Sequence, residues 1–499
     1  MRGSFFGLNV AVRGLHTSQR ALYIAGHNIS NVNTPGYSRQ VGNQQASQAI
    51  GVFDGTGMIG TGSEITGVSR IRDVFLDHKY WGENVSYGEW ETKHIAMDHL
   101  EAIFSLDEDS GSGKVMEGFF SSLQELSKDP SSLQTRETVR AAGEAFCKYF
   151  NSAAEQLQKA RNDNNRAFKI KVDGINSYAE QIRSLNEQIY RAELDGSNAN
   201  DLRDQRTVLV DELSKIVNIE AGEVVRGQLP GGREDRQFEI TLNGSYLVNH
   251  DDVYELECYE NADKMYDVRW KDSGNDLVPK GGELKAYKDI RDGDAVGGAY
   301  KGIPYYMEKL DEFVRYFAQA FNEGIFKDGT KHYSGHAGGV GLDGSENIRF
   351  FSYNHKASGD LTDYSHISAS NITLSSDIEY DVRKIAAASV SGNPENKDNI
   401  TQLLEMRHDA RMFAEGAPED FMQSLVANLG VDAQQAKSFA EQQDSIVQQI
   451  ENRRLSVSGV LEDEEMLNIV RHQHAYNAAA KMISVIDEIY DVMINRMGV

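Results

Sequence analysis

The sequence predicts an α+β protein of several domains, with long helices at both ends, an elongated helical bundle, and an inserted β-rich outer domain. Three observations predict it. The chain has 499 residues, more than one core holds at roughly 100 to 200 residues per domain. Apolar residues recur in alternating steps of three and four at both ends, the spacing of a coiled-coil seam. Between helix-forming stretches, residues 219–290 instead alternate with the period of two that marks strands.

The N-terminal stripe runs through Phe5, Leu8, Val12, Leu15, Gln19, Leu22, Gly26 and Ile29. The C-terminal stripe runs through Met466, Ile469, Gln473, Tyr476, Ala480, Ile483, Ile486, Tyr490, Met493 and Met497, and is entered through Asp463-Glu464-Glu465, whose charge suits a helix N-terminus. Neither narrow stripe can be buried alone, and a lone helix in water is marginal. Pairing the two ends as a coiled coil is the economical arrangement. Two ordinary helices packed on different domains is the other, and periodicity does not choose between them. The first helix has a clear stop. Asn28, Asn31 and Asn33 favour caps and turns, Thr34 is pushed out of helical space by Pro35, and Pro35-Gly36 before Tyr37 suits a type II turn.

Inside the chain, Phe168, Val172, Ile175, Ala179, Ile182, Leu185, Ile189 and Ala192 form one stripe, and Leu202, Leu209, Leu213 and Ile216 another. An antiparallel helical hairpin bending at Gly196-Ser197-Asn198 follows. Helical character over 85–218 is interrupted by loops at 107–113 and 127–132, and returns over 303–321, 400–413 and 436–457. Phe238, Ile240 and Leu242, then Tyr254, Leu256 and Cys258, carry the strand alternation. The stretch 328–376, rich in Gly, Ser, Asp and His, either extends the outer domain or covers the rod as a long loop. The expected plan is nested: 1–45 with 455–499, then 46–218 with 300–454, then 219–299 outermost.

A net charge of −25 repels phosphate and argues against nucleic acid or anionic membrane as partner. No stretch is long enough to cross a membrane, and Asn9 and Arg13 break the apolar start before it resembles a cleavable signal peptide. Cys147 and Cys258, far apart and in no metal-binding spacing, read as two buried thiols. Ser110-Gly111-Ser112-Gly113-Lys114 lacks the first glycine and the hydroxyl after lysine that a phosphate loop needs. Asp107, Asp109 and Glu117 fit a solvated acidic loop better than a calcium loop. His332, His336, His355 and His366 read as surface histidines, since no pair has zinc spacing. No cofactor, metal or catalytic constellation is expected.

The run from Ala21 to Gln40, Ala-Leu-Tyr-Ile-Ala-Gly-His-Asn-Ile-Ser-Asn-Val-Asn-Thr-Pro-Gly-Tyr-Ser-Arg-Gln, closely resembles the N-terminal signature of flagellar rod, hook and hook-associated proteins. The tail from Ser458 through Asp463-Glu464-Glu465-Met466 to Lys481 resembles their C-terminal signature. The middle narrows the resemblance. Asp173-Gly174-Ile175-Asn176 leading to Ile189, Asn200-Asp201-Leu202-Arg203-Asp204-Gln205-Arg206 leading to Leu213, Asp129-Pro130-Ser131-Ser132 with Arg136, and Gly281-Gly282-Glu283-Leu284 resemble the hook-associated proteins of the hook–filament junction. Two places depart from that pattern: Leu461-Glu462, where a polar residue and then leucine is usual, and Asn322-Glu323-Gly324-Ile325, which lacks a histidine-bearing turn.

The resemblance implies a structural, non-enzymatic subunit exported to the flagellum without signal cleavage. Its ends would pair as a coiled coil and pack with other copies through the two stripes, becoming ordered only as neighbours cover them. Hook protein, a second junction protein and an export chaperone are the further partners it implies. The alternatives are another flagellar axial protein or an acidic secreted adhesin or binding module.

Overall fold

The computed structural model describes residues 6–51, 57–104, 111–229, 233–361 and 363–496. Phe5 and Met497 of the expected stripes, and Asp107, Asp109 and Ser110 of the acidic loop, lie outside them. Helix α1 (Phe6–Ser30) leads into an antiparallel hairpin of β1 (Gln40–Ala46) and β4 (Ser63–Arg70), with the short ribbon β2 (Ile50–Gly51) and β3 (Met58–Ile59) between them. Helices α2 (Val74–Phe104), α3 (Ser112–Lys128), α4 (Leu133–Glu193) and α5 (Asn200–Ile216) follow. Next come a four-stranded antiparallel sheet of β5 (Ile219–Leu229), β6 (Arg233–Leu242), β7 (Ser245–Asn249) and β8 (Asp252–Val253), and a hairpin of β9 (Leu256–Glu260) and β10 (Tyr266–Trp270). The chain returns through α6 (Gly282–Asp292), α7 (Ile303–Glu323), the pair β11 (Phe351–Tyr353) and β12 (Ile372–Leu374), α8 (Ser376–Tyr380) and α9 (Asp398–Glu405). It closes with α10 (Pro418–Ser458) and α11 (Glu462–Asp491).

Helix α4 is the spine. Its 61 residues span roughly 90 Å at 1.5 Å per residue, and Ser132 caps it by accepting the Thr135 N–H at 3.3 Å. One buried stripe serves two cores along that length. Val139, Phe146, Phe150 and Leu157 pack with α3, α7, α9 and the start of α10, around a Phe146–Phe317 stack at 4.8 Å. Phe168, Val172, Ile175, Ala179 and Ile182 pack with α5 and the strands through Val210, Leu213, Ile240, Leu247 and Val248. Helix α10 runs antiparallel to α2, with Arg454 against Asp77 at one end and Phe439 against Trp90 further along.

Several expectations are corrected. The β1–β4 hairpin carries no sequence signal, because nearly all of its side chains are exposed or only partly buried and no apolar alternation marks it. Helix α2 starts at Val74 rather than near 85, and 282–292 is helical within the stretch read as β-rich. Ala192 is exposed at the end of its stripe. Residues 328–376 pack into the first core through Phe350, Phe351, Leu361, Ile367, Ile372 and Leu374, away from the 219–270 strands. Their apolar residues are isolated plugs with no period to read. His336 is not a surface residue but fully buried. Its Nε2 accepts the Ala386 N–H at 2.9 Å, so Nδ1 carries the proton and donates to the Ile348 carbonyl at 2.6 Å. His355 and His366 are exposed, and Cys258 is half-buried where Cys147 is buried.

Candidate assembly interface

The two ends pair. Helix α11 runs antiparallel along α1: a Cβ on Gly7 would lie 3.6 Å from Ile486, and one on Gly14 3.9 Å from Ala479. An adjacent side of α1 rests on the β hairpin, where Thr17 donates to the Ser63 carbonyl at 2.9 Å and Arg20 to that of Ile65 at 3.2 Å. Leu8, Leu15, Leu22 and Ile29 are partly buried, as are Val12 and Gly26. The buried positions of α1 are Ala11, Thr17, Ser18, Ala25 and Asn28; Ala11, Ser18 and Ala25 each lie one residue before the expected Val12, Gln19 and Gly26. Small side chains at the contact let two helix backbones approach closely, and a reading that follows bulk passes over them.

On α11, Ile469, Tyr476, Ala480, Ile483, Ile486 and Tyr490 are partly buried, while Met466, Gln473 and Met493 are exposed. Asn468 and His472 are partly covered in their place. Among the described residues of α11 only Glu465 is buried. A second apolar stripe, Leu467, Val470, Met482, Val485 and Ile489, faces outward with each side chain about half exposed or more. Such a run of exposed apolar residues on one helix marks a contact surface. Both terminal segments are helices paired within one chain, with that outer stripe left uncovered.

A polar joint fixes this pair to the body, and it grows out of the turn after α1. Gly36 takes φ +75° in a turn closed by the Tyr37 N–H to the Thr34 carbonyl at 3.2 Å. A Cβ there would meet Val208 of α5 at 2.1 Å, so only glycine fits. Asn31 donates to the His27 carbonyl at 3.0 Å and accepts from Thr34 at 3.1 Å, while Asn33 and Pro35 are exposed. Buried Asn28 clamps helix to strand: its amide donates to the Gln40 carbonyl at 2.9 Å, and its oxygen accepts from the Gln40 N–H at 2.9 Å and the Tyr37 hydroxyl at 2.8 Å. Burial, with Asp201 and Asp204 nearby, raises the Tyr37 phenol well above its ordinary value, so it remains a donor.

Next, Ser38 donates both its N–H and its hydroxyl to Asp204 of α5 at 2.8 Å, and Arg70 reaches the same carboxylate at 2.7 Å. Arg72 holds Asp77 through two bonds at 2.8 and 2.9 Å. Arg454 of α10 joins Asp77 at 3.1 Å to Asp211 at 2.8 Å, and Asp211 also accepts from the Trp81 indole at 2.6 Å. Three arginines and three aspartates therefore neutralise one another where a lone buried charge would be costly. Burial still pushes the Asp211 carboxyl up to about 6, against the pull of Arg454 and Trp81. Arg39 ties in α11, with Glu465 at 2.7 Å and Glu464 at 3.0 Å, while its N–H donates to the Ser458 carbonyl at 2.8 Å.

The sequence pointed to the turn from Asn28 to Tyr37, and to Ser38 and Asp204 only as members of the stretches that carry the resemblance; it did not point to Arg70, Arg72, Asp77 or Arg454, the last of which reaches back along most of the chain to Asp77. The outer α11 stripe did carry a legible period, masked by the inner one. Among the described residues no group of three or more His, Cys, Asp or Glu could hold a metal ion, and no helix is long and apolar enough to cross a membrane.

Comparison with known proteins agrees with this geometry. The family described as flagella basal body rod protein matches residues 8–37, and the C-terminal family of flagellar basal body rod FlgEFG proteins matches 451–497. Paired ends with those two matches define the class: a structural component of the flagellum. The helical domain of the flagellar hook-associated protein FlgK matches residues 97–351, just over half of the chain. Flagellar hook-associated protein 1 of Bacillus subtilis is 30% identical over 523 aligned residues, covering 100% of this chain and 99% of that protein. The Escherichia coli protein of the same name is 26% identical, covering 98% and 99%. The flagellar hook junction protein FlgK from Burkholderia pseudomallei has a similar fold, with TM-score 0.60 and 13% identity over 76% of this chain and 100% of that one. The chain belongs to the flagellar hook-associated protein FlgK family.

Proposed function

We propose that the protein is a structural subunit of the bacterial flagellum that joins hook to filament and performs no catalysis. The observation that carries this reading is the antiparallel α1–α11 pair with an uncovered apolar face on α11, on a body matched by the FlgK helical domain. Copies pack laterally through the terminal helices. The inner positions hold each pair together, and Met466, Gln473 and Met493 join the outer stripe in contacts between copies. Residues 28–37 act as the rigid corner that sets the pair against the body.

In this reading 1–45 with 455–499 is the assembly unit, 46–218 with 300–454 the rod, and 219–299 the outer unit. Partners are further copies of the chain, the hook protein, a second junction protein and an export chaperone. Export takes the flagellar type III route without signal cleavage. Immunogold labelling with antibody raised against the purified chain tests the reading: gold at the distal end of each hook supports it, and gold spread over the cell surface favours an adhesin instead.

A further inference from the structure

Two exposed features near the joint have complementary shapes. Helix α2 opens on Val74 and Phe75, 61% and 72% exposed, an apolar knob that neither core takes up. Beside α5 a groove of about 640 Å³ lies between the 31–37 turn and the α4–α5 hairpin, lined by Pro35, Tyr37, Leu185, Val208 and Leu209, with Asp201 among its walls. The groove has room for an aromatic side chain and its neighbour.

Their directions also match. Helices α2 and α5 run parallel, since Trp81 and Asn84 reach Asp211, and Glu91, further along α2, reaches Lys215. They start at one level, because Arg72 lies 2.8 Å from Asp77 and 3.8 Å from Asp204. At about 100° per residue, Phe75, Lys79 and Gly82 lie roughly half a turn from the α2 face that meets α5, so the knob points away from α5. Asp201, Gln205 and Val208 lie only about a third of a turn round α5 from Asp211 and Ser214. Knob and groove are therefore separate patches on different faces of the body. Distinct patches of that kind meet head to tail, the heterologous contact that repeats into a ring or a helical array. Lys79 is exposed one turn beyond Phe75, and Asp201 is 57% exposed at the groove. For copies that each carry a net −25, a cation placed against a carboxylate sets the register and eases approach.

We propose that Val74 and Phe75 of one copy dock into the groove of the next, with Lys79 facing Asp201, as a lateral contact beside the terminal pair. This rests on the assembly reading above and names a surface for it. The test places Phe75→Cys and Leu185→Cys together, with Cys258→Ser, in cells whose only copy is this variant, and oxidises isolated flagella. A ladder of disulfide-linked multimers of the chain is expected. Dimers alone would indicate a two-fold contact, and a cross-link to a different protein would give the groove to another occupant; either overturns the proposal, as does assembled flagella with no cross-link. If the double variant does not assemble, Phe75→Asp decides. Its exposed position leaves monomer unfolding unchanged, so lost filament attachment supports the contact and normal filaments overturn it. Normal filaments with Phe75→Asp but none after deletion of 470–499 would sink the docking and spare the assembly reading; normal filaments in both would sink both.

Discussion

Replacing Arg454 with alanine probes the joint where its wiring is densest. The side chain is 8% exposed, bridges Asp77 and Asp211, reaches Glu451 at 3.0 Å, and lies over the Tyr80 ring at 4.3 Å. Breaking a buried ion pair from one side costs about 3–5 kcal/mol, because the other charge is left uncompensated. Asp77 keeps both bonds from Arg72, whereas Asp211 keeps the Trp81 indole, which places the loss near the lower end, about 3 kcal/mol. The Asp211 carboxyl lies at about 6 in the fold, above the ordinary 3.8, so folding takes up a proton between those values. Stability tied to Asp211 is thus complete below 3.8 and is lost as pH rises through 6. Without Arg454 the carboxyl is pushed up further, so the deficit is steady below about pH 6 and widens as pH rises above it. Urea unfolding followed by tryptophan fluorescence reads both quantities, with exposed Arg453→Ala as control. A loss within about 0.5 kcal/mol of that control, or a deficit independent of pH, would mean that Arg454 does not hold the joint and does not set the Asp211 charge.

Three further outcomes follow from the same structure. Burial lowers His336 from 6.5 to about 4, so its contribution is complete above about 6.5 and is lost as pH falls toward 4. Stability of His336→Gln should therefore vary less with pH across that window, as measured by thermal unfolding. Phe317→Ala, at a position 1% exposed and stacked on Phe146, should cost about 3–5 kcal/mol in the same unfolding assay. Val485→Asp on the outer face of α11, 48% exposed, should leave monomer stability within about 0.5 kcal/mol yet abolish filament attachment, as counted by electron microscopy.

What could be read from the sequence was what depends on near neighbours along the chain. The α4–α5 hairpin was legible because Phe168 to Ile189 and Leu202 to Ile216 repeat with the helical period, and the 34–37 turn because proline fixes φ and glycine permits the positive φ that follows it. The seam was only half legible: Leu8, Leu15, Leu22 and Ile29 announce themselves by bulk, whereas Ala11, Ser18 and Ala25 matter because they are small, a property that shows only once a partner helix is in place. The joint was not legible. Asp204 and Asp211 resemble any other carboxylates on an acidic chain until folding brings Ser38, Arg70 and Arg454 to them. His336 was misread for the same reason, since its partners at Ile348 and Ala386 are backbone groups of irregular loops. The outer face of α11 had a period of its own, and only the structure separates it from the inner face.

Electron microscopy of cells whose only copy of the chain lacks residues 1–30 or 470–499 tests most directly whether the terminal helices build the junction. Bare hooks, with filament subunits lost to the medium, are the expected result for either deletion. Full-length filaments on either strain would contradict the account.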